Sequence, residues 1–219
     1  MSVPETRSRL QQIEIPGPIG PLEALLQEHE GRAATLTALV LHPHPLYGGT
    51  MNNKVVHRVA STLHSLGAIV LRFNFRGVGA SAGTHDQARG ELDDARAALA
   101  FLRSRYPSAR RWVAGFSFGA GVAARLAAAE PDVERVILIA PPVLNHEFSS
   151  MRTWAKPKLV LQGTNDDQCP MTALTPEFAT WAEPKTLVTI EGATHFFDRQ
   201  LAVLGDALQK EVAAAATSS

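Results

Sequence analysis

Three residue types in this chain could together perform acyl chemistry: a serine set between glycines, a histidine far downstream, and an aspartate between them. Ser117 stands in Gly115-Phe116-Ser117-Phe118-Gly119, which has the form G-x-S-x-G. A serine hydroxyl is a weak nucleophile at neutral pH; it needs a base to take its proton and an acid to hold that base. His195, closing Gly192-Ala193-Thr194-His195, is the candidate base, and Asp166 or Asp167 is the candidate acid. Each has a plain alternative when taken singly. Ser117 could be a helix cap in a glycine-rich turn, His195 a surface histidine, and Asp166 a loop or capping aspartate. Their joint placement carries the weight, and that depends on the elements around them.

Trp112-Val113-Ala114 ahead of the serine is strand-like, and the small residues after it (Ala120, Gly121, Ala123, Ala124) suit a helix. A sharp strand-to-helix turn forces its serine into a strained conformation and lifts the hydroxyl above the sheet. The helix N-terminus there favours developing negative charge. Strands at 159–162 and 186–190 run into the loops that carry the aspartates and the histidine. All three candidates therefore fall past carboxyl ends of strands, on the one sheet edge where open α/β sheets place their sites. Serine, aspartate, histidine is also the chain order expected on such a sheet. The remaining strands are expected at 9–15 and 22–29, around Pro16-Gly17-Pro18-Ile19-Gly20, and at 36–41, 68–75, 111–114 and 133–139. Helical spacing covers 52–66 (Val55, Val56, Val59, Leu63, Leu66), with Gly67 as its cap, and 87–106 (Leu92, Ala95, Leu99, Leu102). Further helices are expected from near residues 118, 171 and 196. The fold class is α/β: a mostly parallel twisted sheet with helices on both faces and an N-terminal antiparallel strand pair, one domain over 1–219. The tail from 213 is expected to fray.

Composition narrows the function classes. The 219 residues carry 21 basic and 21 acidic side chains with no basic stripe, which disfavours nucleic acid and anionic membrane as partners. Cys169 is the only cysteine, so an internal disulfide is impossible and a cytoplasmic location is expected. The first twelve residues are polar and lack the apolar core of a signal peptide, and no apolar run reaches membrane-span length.

Gly163-x-x-Asp166 followed by Pro170, then Gly192-x-x-His195, resembles the acid and histidine loops of α/β-hydrolases. Asn74-Phe75-Arg76-Gly77-Val78-Gly79-Ala80-Ser81 is similar to that family's turn after a preceding strand. His42-Pro43-His44-Pro45-Leu46-Tyr47-Gly48-Gly49-Thr50-Met51-Asn52-Asn53 resembles the oxyanion loop of small lid-less bacterial serine hydrolases. The resemblance spans about residues 10–210. It implies the α/β-hydrolase fold and a serine hydrolase acting on a small-molecule ester without a cofactor, and its G-x-x-D spacing selects Asp166 over Asp167. A thioesterase, a peptidase or an inactive binding protein on the same fold are the alternatives; the last usually lacks a triad member. His42-Pro43 departs from the family's common His-Gly, which bears on the oxyanion donors. Phe118, directly after the nucleophile, is the first expected backbone donor. Proline has no N–H to give, so the second must come from His44, Leu46 or Tyr47, and Leu46 is the expectation.

Other residue groups are weaker. His42-x-His44 lacks a third ligand at usable spacing, so no metal is expected. Gly77-x-Gly79 hints at a dinucleotide turn, but its helix starts too late to hold a pyrophosphate. Asp93 and Asp94 fall on the polar face of the helix at 87–106, solvated or paired with an arginine. His57, His64, His85 and His146 join no constellation, and Cys169 reads as a buried filler. Residues 140–158 are too few for a cap domain, which predicts an open apolar groove walled by Tyr47, Phe116 and Phe118, with His44 nearby; Phe148 and Trp154 read equally as further walls or as core packing. Such a groove suits short acyl esters.

Overall fold

A computed structural model describes residues 7–217. The chain opens with β1 (Ser8–Gly17) and β2 (Gly20–His29), an antiparallel hairpin. There follow β3 (Leu36–Leu41), α1 (Lys54–Ser65), β4 (Ile69–Phe73), α2 (Gly90–Arg105), β5 (Arg110–Phe116), α3 (Phe118–Ala129) and β6 (Val133–Ile139). The last elements are β7 (Lys158–Gly163), α4 (Met171–Ala179), β8 (Lys185–Ile190) and α5 (Leu201–Thr217). One eight-stranded sheet runs in the order β1-β2-β4-β3-β5-β6-β7-β8, parallel except for the two pairings of β2. Residue types explain the layout. Every residue of β3, β4 and β7 is buried, as strands covered by helices on both faces require. In β2, by contrast, burial alternates through Leu22, Ala24 and Leu26.

Two apolar layers sandwich the sheet. Val55, Val56, Val59 and Leu63 of α1 join Leu204 and Leu208 of α5 against Val40, Ala114, Ile137 and Leu161. On the opposite face Leu92, Ala95 and Leu99 of α2 join Ala120, Ala123 and Leu126 of α3 against Leu39, Leu71, Val113 and Leu138. Helix α1 begins where the Asn53 side chain accepts from the Val55 N–H, at 2.9 Å, and ends at Gly67 with φ 94°, the glycine expected as its cap.

Two helix starts differ from the periodicity, for one reason. Sequence spacing extends α2 back to Gln87 and α5 back to Phe196. Gln87 and Ala88 have φ of 50° and 65°, and Phe197 and Arg199 have 52° and 62°, so neither segment can be helical. Both segments are loops at the site edge of the sheet. At the other end, α5 continues to Thr217 where fraying is expected from 213, and the final two residues lie outside those described. Between β6 and β7, residues 140–157 hold a single short turn of 3-10 helix, Ser149–Arg152, so no cap domain is inserted there. Among the described residues no helix is long and apolar enough to cross a membrane.

Asp93 and Asp94 each have the arginine partner expected as one alternative, but Asp94 does not lie on a polar face. Its side chain is fully buried and accepts from Arg76 through Nε at 3.0 Å, Nη2 at 2.7 Å and the backbone N–H at 3.0 Å; Asp93 is the exposed member, paired with Arg96. This pair pins the loop after β4 onto α2. Removing one partner strands the other charge in the interior. Asp94→Ala is therefore expected to lower unfolding free energy by about 3–5 kcal/mol, and Asp93→Ala by less than about 1 kcal/mol. Urea denaturation of both variants checks the contrast.

Candidate active site

The turn from β5 into α3 brings the serine out of the sheet. Ser117 has φ 53° and ψ −121°, a conformation that costs a non-glycine residue about 1–3 kcal/mol and must be held by its surroundings. Its N–H donates to the Ile139 carbonyl of β6 at 2.9 Å. The two glycines of the motif serve close approach. A Cβ on Gly115 would stand 2.1 Å from the Gly119 carbonyl oxygen, and one on Gly119 would stand 2.5 Å from the carbonyl oxygens of Leu41 and His42. No larger residue fits either place.

Around that serine the structure brings the three candidates into one hydrogen-bonded line. His195 Nε2 lies 3.0 Å from Ser117 Oγ, and His195 Nδ1 lies 2.8 Å from Asp166 Oδ2. The carboxylate accepts a hydrogen bond from Nδ1–H, which leaves the Nε2 lone pair facing the hydroxyl. Asp166 also accepts from Gln162 Nε2 at 3.0 Å, from the Gln168 N–H at 3.0 Å and from the Cys169 N–H at 2.8 Å. Burial pushes its pKa up, but His195 and these donors outweigh that and hold it below the ordinary carboxylate range. Asp167, next along the chain, is exposed and outside this line. The two loops are tied together: the Asn165 N–H donates to the Ala193 carbonyl at 2.9 Å and the Gly192 N–H to Thr164 Oγ1 at 2.7 Å. The His195 ring is buried, 5.1 Å from the Phe116 ring and 5.2 Å from that of Phe196.

The oxyanion loop departs from expectation at Leu46. Residues Pro45–Tyr47 form a 3-10 turn capped by His44, whose Nδ1 accepts from the Leu46 N–H at 3.2 Å. The Tyr47 N–H donates to the His44 carbonyl at 3.1 Å. With Leu46 and Tyr47 engaged and Pro43 and Pro45 lacking an N–H, the His44 N–H alone is unpartnered on this loop's expected donors. Phe118, at the start of α3, likewise keeps an unpartnered N–H among the described residues. A proline-rich stretch predicts scarcity of donors but not the capping geometry that removes Leu46.

His42 proves structural. Its Nε2 accepts from the Phe75 N–H at 3.0 Å and its Nδ1 donates to the Pro43 carbonyl at 2.6 Å, joining the loop after β3 to the loop after β4. Asn74 adds a second tie, accepting from the Met51 N–H at 2.8 Å. Neither His42 nor His44 belongs to a ligand cluster. Among the described residues the single close group of metal-capable side chains is Asp166, Cys169 and His195, and two of these already bond each other. Burial and the Asp166 charge push the Cys169 thiol up to about 12, so it is no nucleophile at neutral pH.

Ser117 opens into a cleft of about 500 Å³ lined by His44, Tyr47, Phe118, His85, His146 and Gln168, among others. Tyr47, 87% exposed, stands at its mouth. Three candidate walls are elsewhere. Phe116 lies within the core layer beneath His195, Phe148 stacks on Trp181 at 5.5 Å, and Trp154 packs against the core under Lys158. The apolar groove is thus a cleft with a histidine-rich wall. His85 and His146 join no sequence motif; their one legible signal is that each follows a strand, β4 or β6, on the edge that bears Ser117.

A family model described as the alpha/beta hydrolase fold matches residues 39–162. The structure of an alpha-beta serine hydrolase homologue from Coxiella burnetii is 38% identical with a TM-score of 0.88, covering 96% of this chain and 99% of that one. A serine hydrolase without a lid from Xanthomonas campestris is 40% identical with a TM-score of 0.86, over 93% and 94% of the two chains. Cutinase 2 of Thermobifida cellulosilytica is 34% identical over 108 residues, which make up 48% of this chain and 39% of that protein.

His42 also gives the site an acid limit. Burial lowers its pKa from 6.5 to about 4, so the folded protein keeps it neutral while the unfolded chain protonates it. Its contribution is present above pH 6.5 and is lost as pH falls towards 4. Between pH 7 and pH 4.5 the wild type is expected to lose about 2 kcal/mol more than His42→Asn does, a difference that denaturant midpoints at those two values measure.

Proposed function

The chain belongs to the α/β-hydrolase family, and we propose that it cleaves short carboxylic esters through a covalent acyl-enzyme on Ser117. The observation that carries this reading is the line from Ser117 Oγ through the His195 ring to Asp166, set at a strained turn and open to a cleft. Ser117 Oγ attacks the ester carbonyl carbon as His195 Nε2 takes its proton. Negative charge collects on the former carbonyl oxygen, which the N–H groups of Phe118 and His44 receive. The carbon–oxygen bond to the alcohol then breaks, and His195 returns the proton to the departing alkoxide. Water enters, gives its proton to His195 and attacks the acyl carbon, and the acid leaves as the proton passes back to Ser117.

Two features favour esters of small acids. Named relatives include cutinases, which favours an ester, and the connection that would carry a lid holds one short turn, which favours a small acid. A chain without a cap offers no enclosed tunnel in which a long acyl tail could bury its length. The substrate is a small molecule in this reading, and a reducing cytoplasm suits the single buried thiol.

Asp166→Asn is expected to lower kcat by about 10⁴, because the histidine loses the partner that fixes its tautomer. Asp167→Asn should leave kcat within about threefold of wild type, since its side chain takes no part in the line. Steady-state hydrolysis of p-nitrophenyl acetate and butyrate by both variants tests the reading; equal losses would overturn the assignment. Rates on a water-insoluble long-chain ester should show no jump as substrate passes into micelles.

A further inference from the structure

The wall opposite His195 holds a second histidine–carboxylate pair for which the reaction above has no use. His85 lies on the loop between β4 and α2, with Nδ1 2.7 Å from Oε1 of Glu91. Glu91 is completely buried. Its Oε1 also accepts from the Asp86 N–H at 2.9 Å, while Oε2 has no partner among the described residues. Burying a carboxylate costs several kcal/mol unless a partner offsets it. The contact is short but makes no hydrogen bond, since Nδ1 of His85 is itself without a partner among the described residues; beside a buried carboxylate a ring proton is still favoured over a lone pair. The proton therefore sits on Nδ1 of His85, and in the neutral ring Nε2 keeps a lone pair that is neither buried nor bonded.

His44 supplies the complementary group. Its Nδ1 accepts from the Leu46 N–H, so its ring proton is on Nε2, and this N–H has no partner among the described residues either. The two rings are neighbours, with centroids 4.8 Å apart, and both pack on the Phe118 ring, at 4.9 Å for His44 and 5.7 Å for His85. Phe118 directly follows the nucleophile in the chain. Two neighbouring rings, one offering an acceptor nitrogen and the other a donor, thus line the cleft that holds Ser117.

We propose that His85 and His44 together form a hydroxyl-binding subsite, so that the preferred ester carries a hydroxyl group on its acyl chain. A hydroxyl both donates and accepts, and can give its proton to His85 Nε2 while receiving the His44 Nε2 proton. A carboxylate fits this wall less well, because it has no proton for His85 and would approach the buried Glu91 charge. The neighbouring rings also fail to favour an anion, because burial keeps His44 and His146 below their ordinary pKa and so disfavours their charged forms. An alkyl chain would leave both nitrogens without a partner in place of water, which is the kind of loss that lets polar pockets discriminate strongly. The subsite rests on the ester-hydrolase reading for its catalytic consequence but not for its binding.

Two measurements separate those dependencies. The first compares kcat/KM for p-nitrophenyl butyrate, 3-hydroxybutyrate, 4-hydroxybutyrate and hemisuccinate in wild type and in His85→Phe. At least one hydroxyacyl ester should exceed butyrate by about tenfold or more in the wild type, chiefly through KM, and the preference should fall to within about twofold in the variant. The second uses Ser117→Ala, which cannot acylate, titrated with 3- and 4-hydroxybutyramide and with butyramide while the ring nitrogens of His85 and His44 are followed by ¹⁵N NMR. A hydroxyamide should shift both Nε2 signals at concentrations where butyramide shifts neither. If the proposed hydrolysis fails while these shifts appear, the subsite stands without the esterase. If esters are cleaved but the preference is absent, unchanged by His85→Phe, or belongs to the hemisuccinate, the subsite is wrong.

Discussion

The backbone of one residue governs this site. Ser117 is held at φ 53° between a strand and a helix, and nothing in a serine favours that geometry. It persists because the neighbouring chain over-determines it: Ile139 takes its N–H, and the glycines on either side let α3 settle against the ends of β3 and β5. The same turn aims Oγ at His195 and leaves the first N–H of α3 without a partner. The exposed hydroxyl and the free N–H that the proposed reaction uses are thus consequences of one strained link. The surrounding strands are fully buried on both faces, which supplies the stability that such strain draws on.

Around that link, electrostatics are set by which protons are already committed. Asp166 accepts four hydrogen bonds and stays ionised, so the proton of His195 is fixed on Nδ1. His42 is fixed in the same sense, Nδ1 protonated and Nε2 accepting from Phe75, but there it keeps two loops in register. His44 is fixed by the Leu46 N–H and His85 by Glu91. Three of these four histidines near one edge of the sheet therefore hold the proton on Nδ1, and His44 holds it on Nε2. The same residue type yields a ring facing Ser117, a brace between loops and two wall groups of opposite hydrogen-bonding sense.

What the sequence made legible follows from what local pattern can encode. The strand–serine–helix context, the glycine spacing and the three loops past strand ends all depend on residues close together in the chain. They located Ser117, Asp166 and His195 and gave the alternating architecture. Leu46 escaped because a side chain two residues earlier captures its N–H, a contact that no periodicity reports. Phe116 reads as a pocket wall from its nearness to the elbow, yet it faces a core layer, and Phe148 and Trp154 take the core reading of their two, since inward and outward sides of a loop are not written in its spacing. Asp94 misled for a similar reason: helical periodicity placed it with the polar residues, while Arg76, from a loop eighteen positions earlier, meets it inside. The histidine wall was invisible because His44, His85 and His146 come from three separate loops and converge only through the sheet.

Labelling with a fluorophosphonate, followed by mass mapping of the adduct, tests the central claim most directly. The account predicts one adduct per chain, on Ser117, formed rapidly in the folded protein and abolished when His195 is replaced by alanine. An adduct on any other residue, or equal labelling after that replacement, would contradict it.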